Sequence, residues 1–312
     1  MNKLFGVNLN YDSLGEAYGW PKDYVDDKAY SEGLERISKL TNKLKIPLTI
    51  FVIGKDLENK NNFNILKNFC ENNDAEIANH SYNHLFNFGS CSENIIYDEI
   101  YRSHEIIFKC TKQEPKGFIS PTWSVSKKVI KSLIKLNYKY DTSFFKSFYL
   151  YPMIAKICLS HLIGRKYSKA LKIFSRSDYF VPFNFRNKPF YLDENMKIFD
   201  SYKNNTLLEF PMPSINNFST PIWNTVGFVF GWKFLEKKLK QILSRNENFF
   251  YLIHPADFLD SDDLDSRYSL SLERMQKYKA TEKISYLEDV FNLIIQSGYK
   301  GEKIKNIAKS YQ

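Results

Sequence analysis

What most restricts the fold of this chain is the order of its apolar runs. Short stretches closed by turn residues alternate with longer stretches of helical period. Leu4 to Asn10 reads as a buried strand, and Leu34, Ile37, Leu40 and Leu44 then share one helical face before Pro47. Leu48 to Ile53 forms a second strand, ended by Gly54; a helix follows around Ile65 to Phe69, and Ala75 to Ala78 forms a short third strand. The alternation continues through a helix from about Glu93 to Cys110, a strand near Phe118, a helix over Lys127 to Leu136 and an extended Tyr138 to Thr142. Late in the chain, Leu207 to Phe210 and Phe249 to Ile253 read as buried strands on either side of a basic helix, Trp232 to Ser244, and Tyr286 to Gln296 forms a last amphipathic helix. Repeated β-then-α order points to a parallel sheet or barrel with helices outside. In such folds, sites gather at the carboxyl ends of the strands.

Between Phe144 and Asp193 the rhythm breaks. Tyr149 to Gly164 is apolar apart from Lys156 and His161. It is shorter than the ~20 residues a membrane span needs, and Pro152 interrupts it. The segment at about 144–195 is expected to be an insertion, as a core helix or a lid, with a helix lying on a membrane surface as the alternative. No internal repeat or linker stands out, so residues 1–312 are expected to fold as one domain, a size common for α/β barrels.

The formal net charge is +9, with Lys and Arg densest between Lys156 and Arg186. A solvated surface is the first reading of such a charge, and attraction to anionic lipid head groups or acidic glycans is the second. Nucleic acid is not an expected partner, because no reader module is present. Cys70, Cys91, Cys110 and Cys158 lack CxxC spacing, and MNKLFGVNLN lacks the apolar stretch of a signal peptide. A cytoplasmic protein with reduced thiols is expected, with attachment at the inner face of the membrane as a variant of that location.

Three local patterns fall at predicted strand ends: Asn8 to Ser13, Ala78 to His84, and Tyr251 to Pro255. His80 and His84 are four residues apart, so a helical turn would project both rings from one face. Two imidazoles and one carboxylate suit Zn²⁺ or a related divalent metal, and Asp12 is the natural carboxylate. Each piece alone is weak: HxxxH is often a surface pair, Asp12 can cap a turn, and His254 can be a core histidine beside Pro255. Together they weigh more, because three of only five histidines lie at these strand ends.

The same residues resemble the polysaccharide deacetylases, the NodB-homology proteins of carbohydrate esterase family four, over nearly the whole chain. Val7 to Asp12 is similar to the FDVD variant of that family's first motif, and Thr49 to Gly54 is similar to its TFFVIG strand. Glu76 to His84 resembles EIGNHTxxH, Gly117 to Ser124 (GFISPTWS) resembles GFRxPxxS, and Tyr138 to Ser143 resembles GYxYDSS. Leu208 to Pro211 and Leu252 to Pro255 resemble the later LEFP and LIHP motifs. The resemblance implies an irregular (β/α)₇ barrel that removes an N-acyl group from an amino sugar. It implies Asp12, His80 and His84 as metal ligands and His254 as general acid. Tyr11, Pro121 and Trp123 would wall the cleft, and backbone N–H groups beside Tyr11 or Trp123 would steady the oxyanion.

Two positions depart from the pattern. Asn10 stands where the family carries its general base, and Ile119 stands where an arginine steadies that base. An amide does not accept a proton as a carboxylate does. An alternative alignment makes Asp12 the base and Ser13 a ligand, at the cost of a poorer ligand. Two functions follow: a hydrolase in which His254 or Asp257 supplies the base, and a pseudoenzyme that keeps the cleft for binding glycans. A glycosidase would need facing carboxylates from among Asp12, Glu209 and Asp257, and nothing in their spacing selects a pair.

Overall fold

The computed structural model describes residues 3–13, 28–163, 171, 176, 178–215, 219–263 and 277–312. The predicted strands form as β1 (Lys3–Tyr11), β2 (Leu48–Val52), β3 (Glu76–Asn79), β4 (Gly117–Phe118) and β5 (Tyr140–Asp141). Between them run α1 (Leu34–Leu44), α2 (Lys60–Asn72), α3 (Glu93–Thr111) and α4 (Lys127–Lys135). The apolar segment forms α5 (Leu150–Ile163), followed by β6 (Phe190–Leu192), β7 (Ile198–Phe199) and β8 (Leu207–Glu209). Next come β9 (Ser214–Ile215), β10 (Thr220–Pro221), α6 (Asn224–Phe230), α7 (Trp232–Leu243) and β11 (Phe249–Ile253). The chain ends with α8 (Ala280–Gln296), β12 (Tyr299–Gly301) and α9 (Ile304–Lys309).

The main sheet runs β11-β1-β2-β3-β4-β5-β8-β6-β7, with β12 also on β1. From β11 to β8 every pairing is parallel; β6 alone reverses, antiparallel to both β8 and β7. Among the described residues, hydrogen bonds do not close the sheet. The strands nonetheless curve far enough for the Asn8 amide of β1 to come within 3.4 Å of Thr142 Oγ1 beyond β5. Strand alternation then sorts the side chains. Asn8, Asn10 and Asp12 share the inner face, with Asn8 in register with Thr49 and, across β2, with Glu76. Asn79 faces the other way, its amide donating to the Ile100 carbonyl of α3 at 2.9 Å.

Helix α8 begins at Ala280, earlier than its apolar period suggests, because the Lys279 N–H donates to Glu282 and fixes the first turn. Among the strands of two or three residues, β4, β5 and β8 match the sequence reading, whereas β6, β7, β9, β10 and β12 escape it, since so short a run carries no period.

Between the sheet and α4 lies an apolar layer around Phe118, Phe144 and Phe190. Two buried carboxyls share it, Asp141 and Glu209, which are paired in register on β5 and β8. Burial raises both pKa values, Asp141 to about 6 and Glu209 well above its ordinary range, where the Asp141 charge pushes it further. A proton held between them satisfies Asp141 Oδ2 and Glu209 Oε2, which have no other donor. The folded state therefore binds this proton more tightly than the unfolded chain. The stability it contributes is complete below the unfolded carboxyl pKa and is lost as pH rises through the folded values. We expect the urea midpoint of the wild type to fall between pH 4 and 7, and that of Glu209→Gln to fall less, because its amide donates to an ionised Asp141. Equal slopes would mean that no proton is shared.

Candidate functional site

Three side chains emerge just beyond the carboxyl ends of parallel strands: Asp12 after β1, His80 after β3 and His254 after β11. The His80 N–H extends the ladder by donating to the Val52 carbonyl at 2.9 Å, which fixes where its ring starts. The expected helical turn between His80 and His84 does not form. Ser81 (φ 64°) and His84 (φ 51°) are left-handed, so the backbone doubles back and brings the two rings to 4.9 Å between centroids. Hydrogen bonds hold this bend: Ser81 N to Asn79 Oδ1 at 2.8 Å, His84 N to Ser81 Oγ at 3.2 Å, and Asn83 N to Glu99 Oε2 of α3 at 2.7 Å.

His80 Nδ1 lies 2.7 Å from the Ile119 carbonyl, which can only accept, so Nδ1 carries the proton and Nε2 presents its lone pair. That Nε2 is 3.4 Å from Asp12 Oδ1, and His84 Nε2 is 4.0 Å from the same oxygen. One donor atom from each of Asp12, His80 and His84 lies within 4.8 Å of the others, and Asp12 Oδ1 has no hydrogen-bond donor. Burial raises the Asp12 pKa, but His80, His84 and His254 in their protonated forms outweigh it and hold the carboxyl well below its usual range. An ion bound ~2.0–2.2 Å from each ligand atom needs separations of this order, so the residues fit a divalent metal.

Asn10 lies on the same strand face two residues before Asp12; it is 3% exposed, and its Oδ1 has no donor. Tyr11 stands apart from the cleft. Its side chain points to the outer face, its ring packs edge-on against Tyr30 at 4.7 Å and its hydroxyl donates to the Ala29 carbonyl. Pro121 is buried and opens a short turn, and Trp123 next to it is half-buried. Trp123 stacks on Phe145 at 4.7 Å and meets Trp223 edge-on at 5.2 Å, and Trp223 in turn lies 5.6 Å from the His254 ring. Phe145 and Trp223 carry no motif, so sequence reading passes over them as two more aromatics.

Asp257, at the head of an acidic run, is fully buried. Its Oδ2 accepts the His254 backbone N–H at 2.9 Å, which commits that oxygen to positioning His254. Lys283 of α8, also fully buried, donates to the carbonyls of Ala256 and Leu259 and holds the same loop from behind. Glu209 is turned away to Asp141 and offers no carboxylate to face Asp12, which removes the pairs that a glycosidase reading would draw from it.

Arg176 comes from the basic stretch expected to be solvated, yet its side chain is 4% exposed and pairs with Asp178, itself 3% exposed, at 2.8 Å. It donates to the Thr122 carbonyl at 3.2 and 3.3 Å and to Thr122 Oγ1 at 2.7 Å. Thr122 (φ 51°) and Trp123 (φ 52°) are both left-handed, a costly pair of conformations for residues with side chains. Arg176 offsets that strain from outside the motif. Arg176→Met should destabilise the fold by about 3–5 kcal/mol by leaving Asp178 buried and alone, and Arg176→Met/Asp178→Leu should recover most of it. Urea midpoints measure both, and a single-variant loss near zero would show that the pair is solvated.

Comparison with known proteins agrees with this geometry. Residues 24–140 match the family model described as polysaccharide deacetylase. No curated protein matches the sequence. A Mycobacterium smegmatis protein assigned as a polysaccharide deacetylase has a similar structure at TM-score 0.62 and 13% identity, over 99% of this chain and 90% of its own. The Puue allantoinase is similar at TM-score 0.58 and 13% identity, over 98% and 89% of the two chains. A carbohydrate esterase family four pseudoenzyme from Bacillus anthracis is similar at TM-score 0.51 and 14% identity, over 98% and 66%. The family resemblance read from the motifs is borne out, and so is its fold: a parallel-rich sheet with outer helices, as in the (β/α)₇ barrels of these neighbours.

Proposed function

We propose that this chain, which matches the polysaccharide deacetylase family over residues 24–140, is a metal-dependent hydrolase that removes an N-acyl group from an amino sugar. The observation that carries the reading is the donor-free Asp12 Oδ1 facing the Nε2 atoms of His80 and His84. A divalent ion there, zinc first by its donor set, would lower the pKa of a bound water and polarise the acyl carbonyl. Asp12 brings the negative charge, and the Ile119 carbonyl keeps His80 in the tautomer that offers Nε2. His254, set by Asp257, protonates the departing amine and, with an amide at position 10, also serves as base in the first step. The acyl group and sugar ring pack against the wall that Trp123 and Trp223 form together. The segment at 144–195 acts as a lid: Phe145 and Arg176 support the Trp123 wall from it. The free thiols of Cys70, Cys91, Cys110 and Cys158 suit a cytoplasmic location.

A second reading keeps the metal and the cleft for glycan binding without turnover. It rests on Asn10 and Ile119, the two positions where the family's base and its arginine are missing. Elemental analysis of the purified protein, followed by an acetate-release screen on N-acetylated glycans, separates the readings. Metal without acetate release on any glycan that binds favours the second; no metal at all removes the first.

A further inference from the structure

Helix α5 is apolar on two sides. Tyr151, Ile154 and Cys158 form one stripe, with Cys158 buried and Ile154 packed on the main core. Pro152, Ala155, Leu159 and Leu162 form a second stripe by steps of three, four and three residues, and all four are exposed. Leu159 is 58% and Leu162 42% exposed. Next to α5 in the chain, Tyr149 meets Phe230 edge-on at 5.9 Å, at the end of α6. Phe148, Val229 and Phe230 are exposed as well. A helix with a solvent-facing apolar stripe ordinarily has that stripe covered.

Charge indicates what covers it. Lys156, Arg165, Lys166, Lys169 and Lys172 follow one another in the sequence with no acid among them, and the next acid, Asp178, is paired with Arg176. Helix α7, which adjoins the patch through Phe230 and Phe234 at 5.3 Å, adds exposed Lys233 and Lys237. A second copy of the chain would bring like charges together across a twofold contact, whereas an anionic bilayer accepts both the apolar stripe and the charge. No helix among the described residues is long and apolar enough to cross a membrane, and α5 has 14 residues, so its place is along the surface. The same segments wall the cleft: Phe145 stacks on Trp123 just before the patch, and Trp223 beside His254 directly precedes α6.

We propose that α5, Tyr149 and the end of α6 dock on an anionic bilayer surface and turn the cleft toward head groups carried by lipids. The docking stands on the patch alone; only the choice of a lipid-borne glycan as substrate rests on the hydrolase reading. The test is co-sedimentation of the full chain with phosphatidylcholine vesicles, with and without phosphatidylglycerol. Wild type should pellet with the anionic vesicles, and Leu159→Glu/Leu162→Glu should bind at least about tenfold less, with thermal midpoint and metal content unchanged. If that variant misfolds, Leu159→Ser/Phe230→Ser makes the same comparison more gently. Asp12→Ala protein should bind vesicles as wild type does, so loss of the metal reading and loss of the docking reading register separately. Three results would overturn the proposal: no binding by monomeric wild type, binding that both variants retain, or a dimer in light scattering that Leu159→Glu/Leu162→Glu dissolves.

Discussion

His80→Ala should strip the protein of its metal, from about one ion per chain to near none in elemental analysis after desalting. The expectation follows from how His80 is built into the fold. Its backbone prolongs β3, its Nδ1–H is spent on the Ile119 carbonyl, and its Nε2 faces Asp12 Oδ1 at 3.4 Å. Removing even an outer partner of a metal-bound imidazole costs roughly 10–100-fold in affinity, so removing the imidazole itself should cost more. With His80 gone, Asp12 keeps His84 at 4.0 Å as its remaining partner of the set. His104 is the matched control: it is half-buried on α3, its Nδ1 lies 3.2 Å from the Tyr138 hydroxyl, and His104→Ala should retain the ion. A full complement of metal in His80→Ala would place the ion elsewhere in the chain and take the hydrolase reading with it.

The parts of this site that lie on strand ends are legible in the sequence. Strand alternation and β-then-α order are enough to put Asp12, His80 and His254 on one rim, because parallel strands point their carboxyl ends the same way. What the sequence hides depends on contacts between distant segments. The spacing of His80 and His84 suggests a helix, and only the left-handed Ser81 and His84, held by Asn79 and Glu99, convert it into a bend. Arg176 looks like one more surface cation until Asp178 and Thr122 enclose it. Tyr11 shows the reverse error: it sits inside a motif, yet strand alternation turns it away from the cleft once Asp12 faces in. The acidic run from Asp257 does not reveal in the sequence that one of its carboxylates caps the His254 turn from a buried position. Composition registers charge, whereas burial is decided by partners distant in the chain, as Thr122 is for Arg176.

Asn10→Asp should raise acetate release from an N-acetylated sugar by ~10²–10⁴-fold, the usual worth of a placed general base. Position 10 shares the inner strand face with Asp12, is buried, and holds a side-chain oxygen with no donor. A carboxylate there would accept a proton from the attacking water, which the amide does not. The gain should fall toward the lower end of that range. Ile119 offers no positive charge to steady the new carboxylate, and Asp12 nearby repels it, so its pKa should be raised and the rate should climb with pH through it. The variant should also be less stable without metal and be rescued by it, because the ion would offset two neighbouring negative charges. Rates must therefore be compared at saturating zinc, with thermal midpoints taken with and without the ion. An unchanged rate with metal bound would show that position 10 does not face the water. A rate that appears only in the variant would identify the natural chain as a glycan binder whose catalytic base has been replaced by an amide.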